Sequence, residues 1–246
     1  MKIIEAFAVK NKCYQAGAPL YPQGIMLHSV GCAQPSAAVF ARSFNQYQPG
    51  GASVCVHAFA QADGTVYQTL PWEMRGWHCG GSANSTHIGV EMTEPSAGMT
   101  RSEAAEQIAG TYRTVVELFA ELCKQYELDP AQDGVIIGHA EGHRRGVASN
   151  HADPELLWRT YDMGYTMDGF RRDVAEAMKN GAREEVPDMP RYDSVAEMPQ
   201  WARADAQRLI DRGALQGNTD GKLDVSEDML RTMIVCQRMV DEQKET

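Results

Sequence analysis

The 246-residue sequence has no CxxC pair, no basic stripe and no apolar run long enough to cross a bilayer. Each absence excludes something. The six cysteines (Cys13, Cys32, Cys55, Cys79, Cys123 and Cys236) are scattered, which argues against a disulfide framework and for buried or free thiols in a reducing compartment. Lys and Arg number 23 against 33 Asp and Glu, a net charge of −10, so nucleic acid is not an expected partner. The acidic balance favours solubility and says little about fold. The apolar run within Met1–Lys10 is short and broken by Glu5, which is not a signal peptide. Synthesis in the cytoplasm, no membrane partner and export by another route are the expectations. What is present is 43% hydrophobic and 23% charged residues, the proportions of a soluble globular protein with room for one sizeable domain and a small one.

Taken in order, residues 24–30 predict a strand carrying His28, and Pro35–Asn45 a helix with Val39, Phe40 and Phe44 inward. After the Pro49-Gly50-Gly51 break, residues 53–60 and 65–70 flank Asp63-Gly64, a hairpin signal. Trp72, Trp77 and His78 lie in a Gly-rich loop, and 87–92 alternates as a strand with Glu91 near its end. Thr100-Arg-Ser-Glu103 is a capping box opening a long helix, with Ile108, Tyr112, Val115, Leu118, Phe119 and Leu122 on one face and a stop at Asp129-Pro130. Helices are expected near 154–159 and 168–178. Strands interleaved with helices predict an α/β domain, a mixed central sheet flanked by helices.

The informative stretch is 134–154. Its apolar run, Val135–Ile137, reads as a short strand delivering His139 to a polar loop that returns with His151 and Asp153 before Pro154. A neutral imidazole and a carboxylate on a strand end and its following loop suit a borderline metal ion but lack one more ligand, for which His28 in the other strand is the candidate. A zinc-protease helix does not fit. Glu141 stands two residues after His139, about 200° round a helix, where that pattern needs Glu directly after the first His. Gly138, Gly142 and Gly146 also argue against a helix. From this stretch alone, ordinary hydrogen-bonded loop histidines remain the competing reading.

Four separated features in order resemble the zinc-dependent N-acetylmuramoyl-L-alanine amidases of type 2, the class shared with peptidoglycan recognition proteins. They are the strand ending His28-Ser29, the hairpin His57 to Asp63-Gly64-Thr-Val-Tyr-Gln68, Trp77-His78-Cys-Gly80 through Ile88-Gly-Val-Glu91, and Gly138-His139 through Asp153-Pro154. The likeness covers about residues 22–178 and is nearest to phage and prophage lytic enzymes. It implies zinc on His28, His139 and Asp153, Glu91 as the catalytic carboxylate, and His151 where an oxyanion-assisting residue stands. It also implies cleavage of the bond between N-acetylmuramic acid and L-alanine in bacterial peptidoglycan, as an endolysin acting on the cell wall after release. Two departures stand out: a longer loop between His139 and Asp153, and Val56 in place of a tyrosine before His57. His57, His78, His87 and His143 read as structural or substrate-facing. Trp72 and Trp77 read as core or as glycan-groove residues.

Composition divides the chain into a catalytic domain at 1–179, a linker at 180–193 and a small helical module at 194–246. The last resembles, more weakly, one S-layer-homology repeat, through Trp201-Ala-Arg-Ala, Leu209-Ile210, Asp220-Gly221 and Leu230-Arg231, although Met233 replaces the usual acidic residue. That implies binding to a cell-wall polymer. A core of Leu209, Ile210, Leu223, Leu230, Ile234 and Val235 with an exposed edge instead predicts self-association into a homo-oligomer. Two rivals to the lytic enzyme remain: a non-catalytic peptidoglycan-binding protein on the same fold, and a host autolysin.

Overall fold

The computed structural model describes residues 1–46, 54–180, 191–218 and 220–242. The Pro49-Gly50-Gly51 break and most of the linker, 181–190, lie outside the described residues. The chain divides into two compact units, Met1–Ala182 and Arg183–Thr246.

The first unit is built on six strands: β1 (Lys2–Glu5), β2 (Gly24–Ser29), β3 (Ala58–Ala60), β4 (Thr65–Gln68), β5 (His87–Met92) and β6 (Ile136–Gly138). Their order across the sheet is β1-β4-β3-β5-β2-β6. Only the β3–β4 hairpin is antiparallel; β1 with β4, β3 with β5, β5 with β2 and β2 with β6 are parallel. Parallel neighbours need helical crossovers that cover the sheet, which is why β2 is buried along nearly its whole length. The result is the mixed α/β sheet flanked by helices that the sequence pattern predicts. β1 and the short helix α1 (Lys12–Ala16) had no clear sequence signal.

Helix α2 (Ala37–Phe44) is shorter than expected, and it buries Ala37 and Ala41 while Val39 is exposed. Phe40 and Phe44 do turn inward, stacking 5.1 Å from and standing edge-on 4.9 Å from Phe59. The long helix α3 (Arg101–Gln125) opens on the predicted capping box: Thr100 Oγ1 accepts from the Glu103 amide at 3.3 Å, and Glu103 Oε2 accepts from the Thr100 amide at 2.8 Å. It stops at Gln125, before Asp129-Pro130, because Glu127 takes a left-handed φ of 54°. Ile108, Val115, Leu118 and Phe119 pack on Ile25, Leu27, Ile88 and Val90, forming the dry layer of the domain.

Two elements differ from expectation around His139. Helix α4 (His139–Arg144) replaces the predicted loop, and His139 opens it rather than closing a strand. Of the three glycines that argued against a helix, only Gly142 lies within α4, and packing accounts for it. A Cβ on Gly142 would lie 2.9 Å from Met26 Cε and 3.0 Å from Ala148 Cβ, so only glycine lets α4 sit this close to the sheet. Arg171, on α6 (Met167–Asn180), locks α4 in place by donating to the Ile136 carbonyl at 2.9 Å and pairing with Glu141. Between them lies α5 (Glu155–Thr160), which starts after Pro154.

In the second unit, α7 (Gln200–Asp211) and α8 (Glu227–Glu242) pack through Met198, Ala202, Ala206, Leu209, Leu215, Leu230 and Ile234. It is not purely helical. Strand β7 (Arg191–Tyr192) pairs antiparallel with β8 (Val225–Ser226), so two residues assigned to the linker belong to this unit's structure. Of the expected core, Leu209, Leu230 and Ile234 are buried, Ile210 and Leu223 pack at its edge, and Val235 is exposed.

Candidate active site

Side chains alternate along a strand, so β2 and β5 each present two faces. Ile25, Leu27, Ile88 and Val90 point into the α3 layer, which puts Met26, His28, Gly89 and Glu91 on the other face. His28 and Glu91 are register partners on adjacent parallel strands and are therefore side by side. β6 pairs with β2 on the other flank, with Leu27 opposite Gly138, and so delivers His139 beside His28. The return loop is tied down where the Ala140 amide donates to the Asp153 carbonyl at 3.1 Å.

Three side chains converge here. His28 Nδ1 lies 3.0 Å from His139 Nδ1 and 3.2 Å from Asp153 Oδ2, and His139 Nδ1 lies 3.5 Å from Asp153 Oδ1. Both rings are buried, and the three ligand atoms lie within 4.8 Å of one another. Burial alone would raise the Asp153 pKa, but the adjoining His139 and His28 rings hold it well below the usual carboxylate range. Burial lowers the pKa of His28, keeping the ring neutral. A permanently ionised carboxylate with neutral imidazole is the protonation state that metal binding requires.

Glu91 is the electrostatic opposite of Asp153. Its Oε2 is sealed from solvent and has no hydrogen-bond partner. Burial, reinforced by the charges of Asp153 and Glu94, pushes its pKa well above the ordinary value. A carboxyl shifted in this direction is suited to exchanging a proton with a reacting group. His151 is exposed; its ring stacks on His139 at 4.5 Å, and Nδ1 stands 3.9 Å from Asp153 Oδ1. A cleft of about 350 Å³ opens over this corner, with Ser29, Glu94, His151, Asp153, Leu156 and Tyr161 among its walls.

The structure thus brings His28, His139, His151 and Asp153 into contact and sets Glu91 beside His28. The other histidines are held by backbone groups. His57 Nε2 donates to the Met74 carbonyl at 2.7 Å, His87 Nε2 to the Gly134 carbonyl at 2.9 Å, and His143 Nδ1 is 3.4 Å from the Ala148 carbonyl. His78 stands behind His28, 2.9 Å from its Nε2. Trp72 and Trp77 pack against the apolar clusters. Sequence reasoning passed over Glu94, which accepts from Ser29 Oγ at 2.8 Å and the Gly31 amide at 2.9 Å, and Ser149, which contacts His139 Nε2 at 3.2 Å. The Glu91-x-x-Glu94 spacing was the only available signal for the first, and Ser149 had none.

Residues 18–156 match the profile of the Amidase_2 family, N-acetylmuramoyl-L-alanine amidase. No curated protein matches the chain. Among solved structures, the Staphylococcus aureus hydrolase AmiA in complex with its ligand is 21% identical, with a TM-score of 0.56 over 74% of this chain and 86% of that one. A mutant endolysin from Bacillus subtilis is 21% identical, with a TM-score of 0.50 over 71% of this chain and 99% of its own. At this identity the two structures establish a common fold.

Proposed function

We propose, on the premise that the chain belongs to the N-acetylmuramoyl-L-alanine amidase family, that it hydrolyses peptidoglycan at the amide joining the muramoyl lactyl group to L-alanine. Its setting would be host lysis, as an endolysin. The observation that carries the enzymatic reading is Glu91, a half-buried carboxyl whose Oε2 is sealed from solvent without a partner, set beside a convergent His–His–Asp group. A protein that only binds peptidoglycan gains nothing from a carboxyl oxygen buried without a partner, which is destabilising.

The donor set fits zinc: two imidazole nitrogens and a carboxylate oxygen, with the cleft leaving an open side. His28, His139 and Asp153 would hold the ion. When bound, zinc polarises the scissile carbonyl and lowers the pKa of water to roughly 7. Glu91 takes a proton from the attacking water and delivers it to the amide nitrogen as the C–N bond breaks. His151, at the cleft wall, donates to the carbonyl oxygen as negative charge develops on it. Glu94 and Ser29 line the same cleft and orient the substrate.

The test combines metal analysis with mass spectrometry of digested peptidoglycan. The expected result is one equivalent of zinc, lost in His28→Ala, and products carrying a free L-alanine amino terminus. Cleavage elsewhere, or full zinc in His28→Ala, would overturn the reading. The second unit is proposed to self-associate, pooling single repeats for avidity toward a wall polymer. Exposed Trp201, Met229 and Val235 support this. Light scattering of the full chain at micromolar concentration tests it, and a monomer would sink it.

A further inference from the structure

The two rings that face Asp153 are each held from behind, and the direction of every hydrogen bond in the two supporting chains is fixed from its far end. His78 Nε2 lies 3.1 Å from the carbonyl oxygen of His87. A carbonyl only accepts, so this nitrogen carries the proton. Nδ1 of the neutral His78 ring is then bare, and it faces His28 Nε2 at 2.9 Å. His28 therefore donates from Nε2, which leaves its Nδ1 with a free lone pair. On the other side, the Ser149 hydroxyl donates to the Cys79 carbonyl at 3.0 Å. Its oxygen accepts from His139 Nε2 at 3.2 Å, so His139 Nδ1 is the basic nitrogen of that ring. Both chains end with lone pairs directed at one point, beside the Asp153 carboxylate. Three acceptors crowded at 3.0–3.5 Å are stabilised by a cation among them.

We propose that His78 and Ser149 are positioning residues that lock His28 and His139 in the tautomer whose Nδ1 binds metal; this rests on the zinc site read above. Neither residue is among the three that would hold the metal. A second observation supports the role of His78. A Cβ on Gly89 would lie 2.4 Å from His78 Cγ, and one on Gly76 would lie 3.0 Å from His78 Cδ2. Two glycines thus leave a slot that the imidazole fills, fixing its plane as well as its hydrogen bonds. Burial lowers the pKa of His78, in keeping with the neutral ring that the geometry requires. Partners of this kind typically govern metal affinity by 10–100-fold.

The experiment measures zinc affinity of the full chain by chelator competition and the His28 tautomer by ¹⁵N NMR of the metal-free protein. His78→Leu is expected to weaken zinc by roughly 10–100-fold and to give a mixture of His28 tautomers. His78→Asn, whose amide oxygen can take the place of Nδ1 and accept from His28, should lose less affinity than His78→Leu. Gly89→Ala removes no polar atom but displaces the ring, and should behave like His78→Leu. Ser149→Ala should weaken zinc in the same range. Should His78→Leu fail to fold, the Asn, Gly89 and Ser149 variants carry the test. Parent-like affinity in folded His78→Leu or in both Gly89→Ala and Ser149→Ala overturns the proposal, as does an Nδ1-protonated His28 in the parent. A parent that binds no zinc refutes the zinc site instead, and the tautomer measurement still judges the positioning role.

Discussion

The two faces of β2 and β5 are made from alternate residues of the same two six-residue strands, yet they do opposite things. On the α3 side, Ile25, Leu27, Ile88 and Val90 are fully buried in an apolar layer, where each side chain contributes roughly 1.5–3 kcal/mol. On the other side, His28 and Glu91 are just as firmly placed but carry buried polar groups, one of them without a partner. Burial without full compensation costs free energy. The comparison teaches that this corner is held firmly because the opposite face is well packed, while its own face is polar and not fully satisfied.

Four substitutions or titrations break or sharpen this contrast, from the largest expected effect down. Glu91→Gln should keep zinc and fold but lower turnover by about 10²–10⁴-fold, because an amide relays no proton. It should also stabilise the metal-free protein at neutral pH. A carboxyl with a raised folded pKa begins to destabilise once pH exceeds its unfolded value near 4.3, so the gain should be absent below about pH 4 and grow toward pH 7. Turnover within a few-fold of the parent would show the face to be merely structural.

Phe119→Ala acts on the other face. Phe119 is fully buried with its ring 5.0 Å from Phe170, and truncation should cost about 3–5 kcal/mol in urea unfolding. In the protein that remains folded, zinc affinity should be unchanged. A parallel loss of zinc would mean the two faces are not separable.

The third concerns acid. Burial lowers the His57 pKa to about 4, and His28 and His78 shift the same way. The native state then binds fewer protons than the unfolded chain below about pH 6.5. Stability should be intact above that value and fall as pH drops toward 4, by up to roughly 3 kcal/mol for His57 alone. Urea unfolding between pH 7 and 4.5 reads this, and His57→Asn should flatten the curve. An unchanged slope in that variant assigns the acid sensitivity elsewhere.

His151→Ala is the smallest. The ring is largely exposed, with only one face stacked on His139, so stability should move little, while the rate constant falls by about 10²-fold with substrate affinity nearly kept. A loss of zinc with unchanged turnover per bound metal would make His151 a ligand.

Much of this was legible beforehand because it is local. The apolar run before His28, the alternation around Glu91 and the Thr100–Glu103 capping box are set within a few residues, and the structure carries all of them. The resemblance carried by four separated motifs pointed to His28, Glu91, His139, His151 and Asp153, which share one corner of the fold. The α4 helix was misread because its glycines score against helix in isolation. Contacts with Met26, Ala148 and Arg171, distant in sequence or outside the helix, decided that segment.

By itself, the sequence determined the fold class and which strands carry polar residues on one face, since alternation and capping act through neighbouring bonds. Only the tertiary structure decided the strand order that sets β5 and β6 on either side of β2, and hence that Glu91 and His139 flank His28. It alone also decided which nitrogen of each ring is bare, because a tautomer is fixed by the group that lies behind it. Those groups, the His87 and Cys79 carbonyls reached through His78 and Ser149, come from segments that only folding brings together.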